Sequence, residues 1–466
     1  MQQRKDWIDI IVDKVHENYN GRQVVIWGFF ETSCTISGKL KERYGISTAF
    51  YVDGNAAKTD NVQVFHPDCL DGKSDTCYVV IPLTFYQSIK EKISEYGYKE
   101  DIDYYYFCGC ILRQEPDYFE DAHGNKIIGN YKGLKFAFFG FHSTIELGDN
   151  IQFQNTCLYF FSDDSRIKIG SNVELKENVI HIYNSSNMIV GSSTELKENT
   201  IYIHNHSEAL IGDGTKLKGN LFNIKNSAKT LLEESVHFEN VQMVIRDNAR
   251  LETKDGSLIK GLHISVYEHG EALLGQNTEV TGDVWEIREN ARLHIGNGGK
   301  FIYSIGGKSS IHIAENAGMI IGNNFHILEN YRFVVASGTK ILIGNDCVMS
   351  YNITMYSSDL HSIFDVVTGE NINSNDEIKK ERKIVIGNHV WLGVHVTVLY
   401  NTQIGDGSVI GAMSLVKSKI PNNCIAAGSP ARVVRRDIAW SMNDGAADIS
   451  DCGEEYVNLT EESRKE

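Results

Sequence analysis

The sequence predicts a mainly β protein: a long parallel β-solenoid preceded by a small α/β domain. Three observations carry that prediction. From about residue 136, apolar residues recur in two columns with a period near 21. Proline is confined to Pro67, Pro82, Pro116, Pro421 and Pro430. The long interval without it suits continuous β-ladders, in which every backbone N–H is used. The first 125 residues instead alternate strand-like and helix-like runs, the pattern of a parallel sheet with crossover helices. An apolar content of 42% supplies a real core and excludes a disordered chain.

Residues 6–20 read as an amphipathic helix. QVVIWGFF then reads as a buried strand ending at Gly28, and 35–44 as a helix with Ile36 and Leu40 on one face. STAFYVDGN is a second strand ending at Asp53, and CYVVIP a third closing at Pro82. SIKEKISEYGY is a helix with Ile89 and Ile93 four apart, and DYYYFC a fourth strand. Together they form a Rossmann-like domain over 1–125. The polar run 114–135 reads as the join, with the linker itself at 126–135.

The solenoid is expected over 136–436. Gly148, Gly170, Gly191 and Gly212 each follow an aliphatic residue, and further steps of 21 reach Glu233, Lys254, Gly275 and Gly296. Five residues beyond each lies a second apolar column: Phe153, Leu175, Leu196, Leu217, Phe238, Ile259, Val280 and Phe301. Each repeat is read as one coil, stacked on the next at ~4.8 Å, with Gly and Asn at corners that need positive φ. The spacing slips after Gly296 and resumes at Gly322, Gly344, Gly387 and Gly405. The 43-residue step from Gly344 to Gly387 must hold a loop outside the coil, and FDVVTGENINSNDEIKKERK supplies it. An acidic tail, 437–466, follows the last coil.

A net charge of −16 argues against nucleic acid as a partner. No stretch approaches the ~20 apolar residues of a membrane helix, and the start MQQRKDWIDI lacks the apolar run of a signal peptide. Nine scattered cysteines read as free thiols of a reducing compartment. Cys108 and Cys110 lack the spacing of a zinc site, so no metal is expected. A cytoplasmic location follows from these readings.

The segment 384–436 carries VWLG, IGDGSVIGA, IAAG and GSPARVVR. These motifs resemble the C-terminal end of hexapeptide-repeat acyltransferases, including galactoside and maltose O-acetyltransferases and capsular-polysaccharide O-acetyltransferases. The resemblance is close over about 340–436, with the catalytic coils placed at 322–436. It implies a left-handed parallel β-helix, a homotrimer, and acetyl-CoA as co-substrate bound between neighbouring helices. NITMYSSDLHSIFD, one coil earlier, is similar to the S-D-x-H segment of the polysaccharide enzymes. His361 then corresponds to the catalytic base. A neutral imidazole with an ordinary pKa of ~6.5 suits removal of a hydroxyl proton at cell pH. Asp359, two residues away, is expected to orient the ring.

The same resemblance places the oxyanion-binding amide at Val394, after Gly393, and the small residue beside the pantetheine arm at Ala412. Where the family has T-K-D, this chain has Lys417, Ser418 and Lys419, so the phosphate-binding lysine is displaced by one. Arg432 and Arg435 match the basic residues of the closing motif. Asn330 aligns with an acceptor-contacting Asn. Trp391 packs on the cofactor arm or fills a coil edge, and His389 and His395 read as wall residues.

The expected function is acetyl-CoA-dependent O-acetylation of a cell-surface (capsular) polysaccharide or its saccharide precursor, by direct transfer in a ternary complex. Two alternatives stay open: N-acetylation of an amino-sugar nucleotide, and a non-enzymatic β-helix binding module. Gly28 and Asp53 do not complete a G-x-G-x-x-G fingerprint, so a dinucleotide site in the N-terminal domain is not expected.

Overall fold

A computed structural model describes residues 7–460 apart from 29–30, 55–62, 83–85, 101, 107–110, 122, 139, 155–156, 161–162, 177–178, 183–184, 199, 220, 241, 303–308, 374–381, 444 and 458–459. Cys108 and Cys110 lie outside the described residues. The chain divides into two units, one of Met1–Ile169 with Val179–Asn187, the other of Gly170–Asn178 with Met188–Glu466.

In the first unit, five parallel strands form one sheet: β1 (Gln23–Trp27), β2 (Thr48–Val52), β3 (Val64–Phe65), β4 (Cys77–Ile81) and β5 (Tyr104–Tyr106). Their order is β3-β2-β1-β4-β5. Three helices accompany them: α1 (Trp7–Asn18), α2 (Glu31–Tyr44) and α3 (Tyr86–Glu95). The four-apart apolar spacing explains what each helix contributes to the core: Ile11 and Val15 from α1, Ile36 and Leu40 from α2, Ile93 from α3. Gly28 has φ +100° where β1 ends, a conformation that a side chain would strain.

The polar segment read as a linker is not one. Residues Ile111–Glu115 (β6), Tyr118–Asp121 (β7) and Lys126–Ile128 (β8) form an antiparallel meander, and β8 pairs in parallel with Thr144–Glu146. Its polarity hides a period of two: Phe119 and Ile127 are buried, while their neighbours are more exposed. Buried Asp121 is satisfied by the Asn125 backbone N–H at 3.0 Å and side-chain N–H at 2.9 Å. The meander covers an edge that Thr144–Leu147 would otherwise present unpaired.

The second unit is a stack of parallel coils. The apolar column stays in register from coil to coil: Leu175 opposite Leu196, Ile259 opposite Val280, Phe301 opposite Ile327, Met349 opposite Leu392, and Leu392 opposite Ile410. These side chains are buried, as the 21-residue period requires.

Positive φ sits on the turn residues Asn277, Asn324 and Asp346, not on the repeat glycines before them. Gly344 is needed for closeness instead. A Cβ there would lie 2.6 Å from the Gly387 carbonyl oxygen and 2.7 Å from the Asn388 nitrogen of the next coil. An amide ladder runs beside the glycines: Asn345 N–H donates to Asn388 Oδ1 at 2.8 Å, and Asn388 N–H to Asp406 Oδ1 at 2.7 Å. The ladder and the pairing of Lys340–Ile343 with Lys383–Ile386 continue across the long step. The extra residues therefore leave the coil without breaking its register.

Candidate active site

Each coil near the C-terminus has three strands and three turns. The first turn holds residues 344–347, 387–390 and 405–408; the second holds 350–353, 393–396 and 411–414; the third holds 400–401 and 417–418. The long excursion leaves at this third turn, after Thr354–Tyr356, and returns through Arg382.

His361 lies early in the excursion and is exposed. Among the described residues its imidazole has no hydrogen-bond partner, and its backbone oxygen accepts from Asn373 Nδ2 at 2.8 Å. The carboxylate expected to orient the ring is engaged elsewhere. Asp359 Oδ2 accepts from the Tyr400 hydroxyl at 3.0 Å and from Asn373 Nδ2 at 3.0 Å, and lies 3.6 Å from Arg382 Nη2. Arg382 is only 4% exposed, donates to Ser358 Oγ at 3.1 Å, and lies over the Tyr400 ring at 4.7 Å. Burial first, then the Asp359 hydrogen bond, holds the Tyr400 phenol above its usual pKa. Asp359 thus ties the base of the excursion to the coil.

Beyond His361 the chain turns back on itself through a Phe364–Asn371 bridge. Asp365 accepts the Val367 and Thr368 N–H groups at the tip, each at 2.8 Å. The tip is apolar: Val366 is 98% exposed and Val367 89%.

The second turn gathers Gly393, Val394, Ala412 and Arg432. Trp391–Leu392 pairs with Val409–Ile410, which stacks Gly393 on Gly411 and Val394 on Ala412. A Cβ on Gly393 would meet the Ala412 nitrogen at 2.8 Å. Val394 accepts the Met413 N–H at 2.8 Å through its oxygen, and its own N–H has no partner among the described residues. Arg432, on the antiparallel strand Ala431–Arg435, lies opposite Ala427 directly beyond this pair. Asn330 shares the corner two coils upstream, ~10 Å away along the stack. It has φ +63°, like Asn352 (+60°) and His395 (+59°) at the matching positions.

Lys417 stands at the third turn, Lys419 at the start of the next strand opposite Gln403, and Arg435 opposite Ile425; all three are exposed. The cations therefore divide between corners. So do the two halves of the expected chemistry: Val394 and Tyr400 flank the strand Thr397–Leu399, with His361 on the Tyr400 side.

The first turn is covered by the segment expected to be a tail. His389, 6% exposed, is stacked between the rings of Trp440 at 4.1 Å and Tyr456 at 4.5 Å. Trp440 Nε1 donates to the His389 oxygen at 2.8 Å, Asn423 Nδ2 to the Tyr456 oxygen at 2.7 Å, and the Tyr456 hydroxyl to Asp346. Through Trp440 and Tyr456 the described residues of 437–456 strap onto the coils. Aromatic anchors outweigh the local acidity. Trp391 leans on this strap, its ring 5.9 Å from Trp440.

Residues 383–418, which contain the Gly393–Val394 turn and Ala412, match the family model described as bacterial transferase hexapeptide (six repeats). Those residues carry the repeat that this family model describes. The chain is similar to the polysialic acid O-acetyltransferase of Escherichia coli O1:K1, 30% identical over 33% of this chain and 49% of that one. It is also similar to the galactoside O-acetyltransferase of Escherichia coli K12, 33% identical over 27% of this chain and 57% of that one. Among solved structures it is similar to the polySia-specific acetyltransferase NeuO, with 20% identity, a TM-score of 0.27, and coverage of 70% of this chain and 89% of that one. The chain spans about half the length of the curated relatives it matches.

Tyr400, Asn373 and Arg382 as anchors of the excursion, and Trp440 and Tyr456 as the strap, were not foreseen from the sequence. An arginine and a tyrosine flanking the return of a polar loop were the available signal. Among the described residues, no group of metal-ligating side chains occurs, and no helix is long and apolar enough to cross a membrane.

Proposed function

We propose that the protein is an acetyl-CoA-dependent O-acetyltransferase that esterifies a hydroxyl of a cell-surface (capsular) polysaccharide or its saccharide precursor. It works in the cytoplasm as a homotrimer built on a left-handed β-helix, with a Rossmann-like N-terminal domain that ends before the meander beginning at Ile111. The observation that carries this reading is the exposed His361 on an excursion inserted immediately before the matched residues 383–418.

His361 takes the proton of the acceptor hydroxyl as its oxygen forms a bond to the acetyl carbon. The carbon–sulfur bond of the thioester then breaks, and the proton passes to the departing thiolate. The negative charge that gathers on the acyl oxygen is met by the Val394 N–H, which has no partner among the described residues and is fixed in a rigid turn. Ala412 and the close-packed Gly393 keep the corner narrow enough for an extended thioester arm, with Arg432 beyond them for its phosphates. Lys417, Lys419 and Arg435 serve the same phosphates from the adjoining faces.

Because His361 and Val394 stand at different corners of one chain, each site is completed between two copies. The bare valines at the excursion tip favour this reading, since burial against a neighbour removes them from water. Mixing tests it. His361→Ala and Val394→Pro chains, each inactive alone, should regain part of the wild-type transfer rate when unfolded and refolded together. Activity that stays at zero while mixed oligomers form would refute the shared site.

A further inference from the structure

The wall of the excursion also bounds an open groove of about 780 Å³, reached by Ser358 and Leu360 at one end. From Ser358 and Leu360 the groove runs along the third corner, over Asp283–Ile287, Ser309–Ile313 and Arg332–Val335. These are successive paired strands, so it crosses three coils and extends ~10–15 Å. That volume is of the size that holds a ligand of several rings, in a usual range of ~300–1,000 Å³.

Its charges cancel. Glu286 accepts Arg288 Nη2 at 2.7 Å and is hydrogen-bonded to His312 Nδ1 at 3.3 Å. Arg382 is committed to Asp359 and Ser358. Glu315 is exposed and has no cation partner among the described residues. A track for a polyanion needs surplus positive charge along its length, and among the described residues this groove has none. What it offers instead is hydroxyl and paired polar groups (Ser337, the Glu286–Arg288–His312 cluster) beside small apolar surfaces (Ala314, Ala336, Leu360). That combination matches the hydroxyl edges and C–H faces of an uncharged sugar ring.

We infer that this groove holds an uncharged stretch of the acceptor saccharide, several residues from the hydroxyl that is acetylated. The substrate class is therefore a neutral oligosaccharide or polymer rather than a single sugar or a polyanionic chain. This inference rests on the transferase reading above.

The test uses the full-length protein on an array of immobilised neutral oligosaccharides alongside polysialic and uronic-acid oligosaccharides. Coenzyme A binding is measured separately by calorimetry. Ser337→Trp fills the groove from an exposed position without touching His361 or Val394. Glu315→Lys adds positive charge. Wild type should retain neutral chains of three or more sugars. Ser337→Trp should weaken that retention at least tenfold with coenzyme A affinity unchanged, and Glu315→Lys should change it less than twofold.

Retention of the polyanions alone, tightened by Glu315→Lys, would overturn the inference. So would the absence of any retained glycan, or neutral binding that survives Ser337→Trp. A Ser337→Trp protein with altered oligomer mass would show the groove to be an interface between copies, and would overturn it too. Failure of wild type to bind coenzyme A would instead strike the transferase reading, so the two failures are distinguishable.

Discussion

Replacing Asp359 with Ala should loosen the excursion that carries His361 while leaving the coils intact. The carboxylate accepts two hydrogen bonds, from Tyr400 and Asn373, and faces a guanidinium whose side chain is 3% exposed. Hydrogen bonds to a charged group contribute ~1.5–3 kcal/mol each, and breaking a buried ion pair costs ~3–5 kcal/mol. These contributions overlap at one carboxylate that is itself 25% exposed, so the net anchoring is about 3 kcal/mol. At ~1.4 kcal/mol per decade, that is a shift of roughly 100-fold between anchored and released excursion.

Hydrogen exchange reads this directly. The Ile363 N–H, bonded to Asn373 Oδ1, and the Ile372 N–H, bonded to the Ile363 oxygen, should exchange about 100-fold faster. The amides of Lys383–Ile386 should not change. Asp359→Asn, which keeps one acceptor oxygen, should fall between. Lost activity with wild-type exchange in Asp359→Ala would refute the anchoring argument and return Asp359 to the role of orienting the His361 ring.

Three further outcomes are expected. Gly393→Ala places a Cβ 2.8 Å from one backbone atom and 2.9 Å from another in the next coil, so it should cost ~1–3 kcal/mol and weaken coenzyme A binding, measured by thermal unfolding and calorimetry. Burial and the Asp346 carboxylate hold the Tyr456 phenol above its ordinary pKa. Folding then favours the protonated form, so the strap's contribution is complete below about pH 10 and is lost as pH rises through the folded value. Trp440 fluorescence should be flat from about pH 6 to 9 and change above about pH 10, and an identical alkaline change in Tyr456→Phe would contradict this assignment. A chain beginning at residue 111 should stay dispersed, whereas one beginning at 136 should aggregate, because only the first keeps the meander over Thr144–Leu147. Light scattering compares them.

The solenoid was legible because its order is local and repeated. Every coil must present buried aliphatics at the same two places, so a 21-residue period in the sequence is the packing itself. The reason for the repeat glycines was not legible, since positive φ and a close neighbour both select glycine. Only the position of the next coil tells them apart, as at Gly344. The meander was misread because Phe119 and Ile127 are too few to reveal alternation in a polar run. The strap was misread because its anchors are distant in sequence: Trp440 meets His389 across 51 residues, and Tyr456 meets Asp346 across 110.

His361 and Val394 were reached through motif resemblance. Their separation onto different corners follows only from which strand lies between them. The partners of Asp359 were hidden for the same reason, because Tyr400 comes from the next coil and Arg382 from the far end of the excursion.

The most direct measurement follows labelled acetyl from acetyl-CoA onto saccharide, with wild type and His361→Ala side by side. Label should be released from the saccharide by mild alkali, as an ester is, and transfer should fall at least ~10²-fold in His361→Ala with coenzyme A binding retained. Label that resists alkali as an amide, or near-wild-type transfer by His361→Ala, would contradict the proposed function.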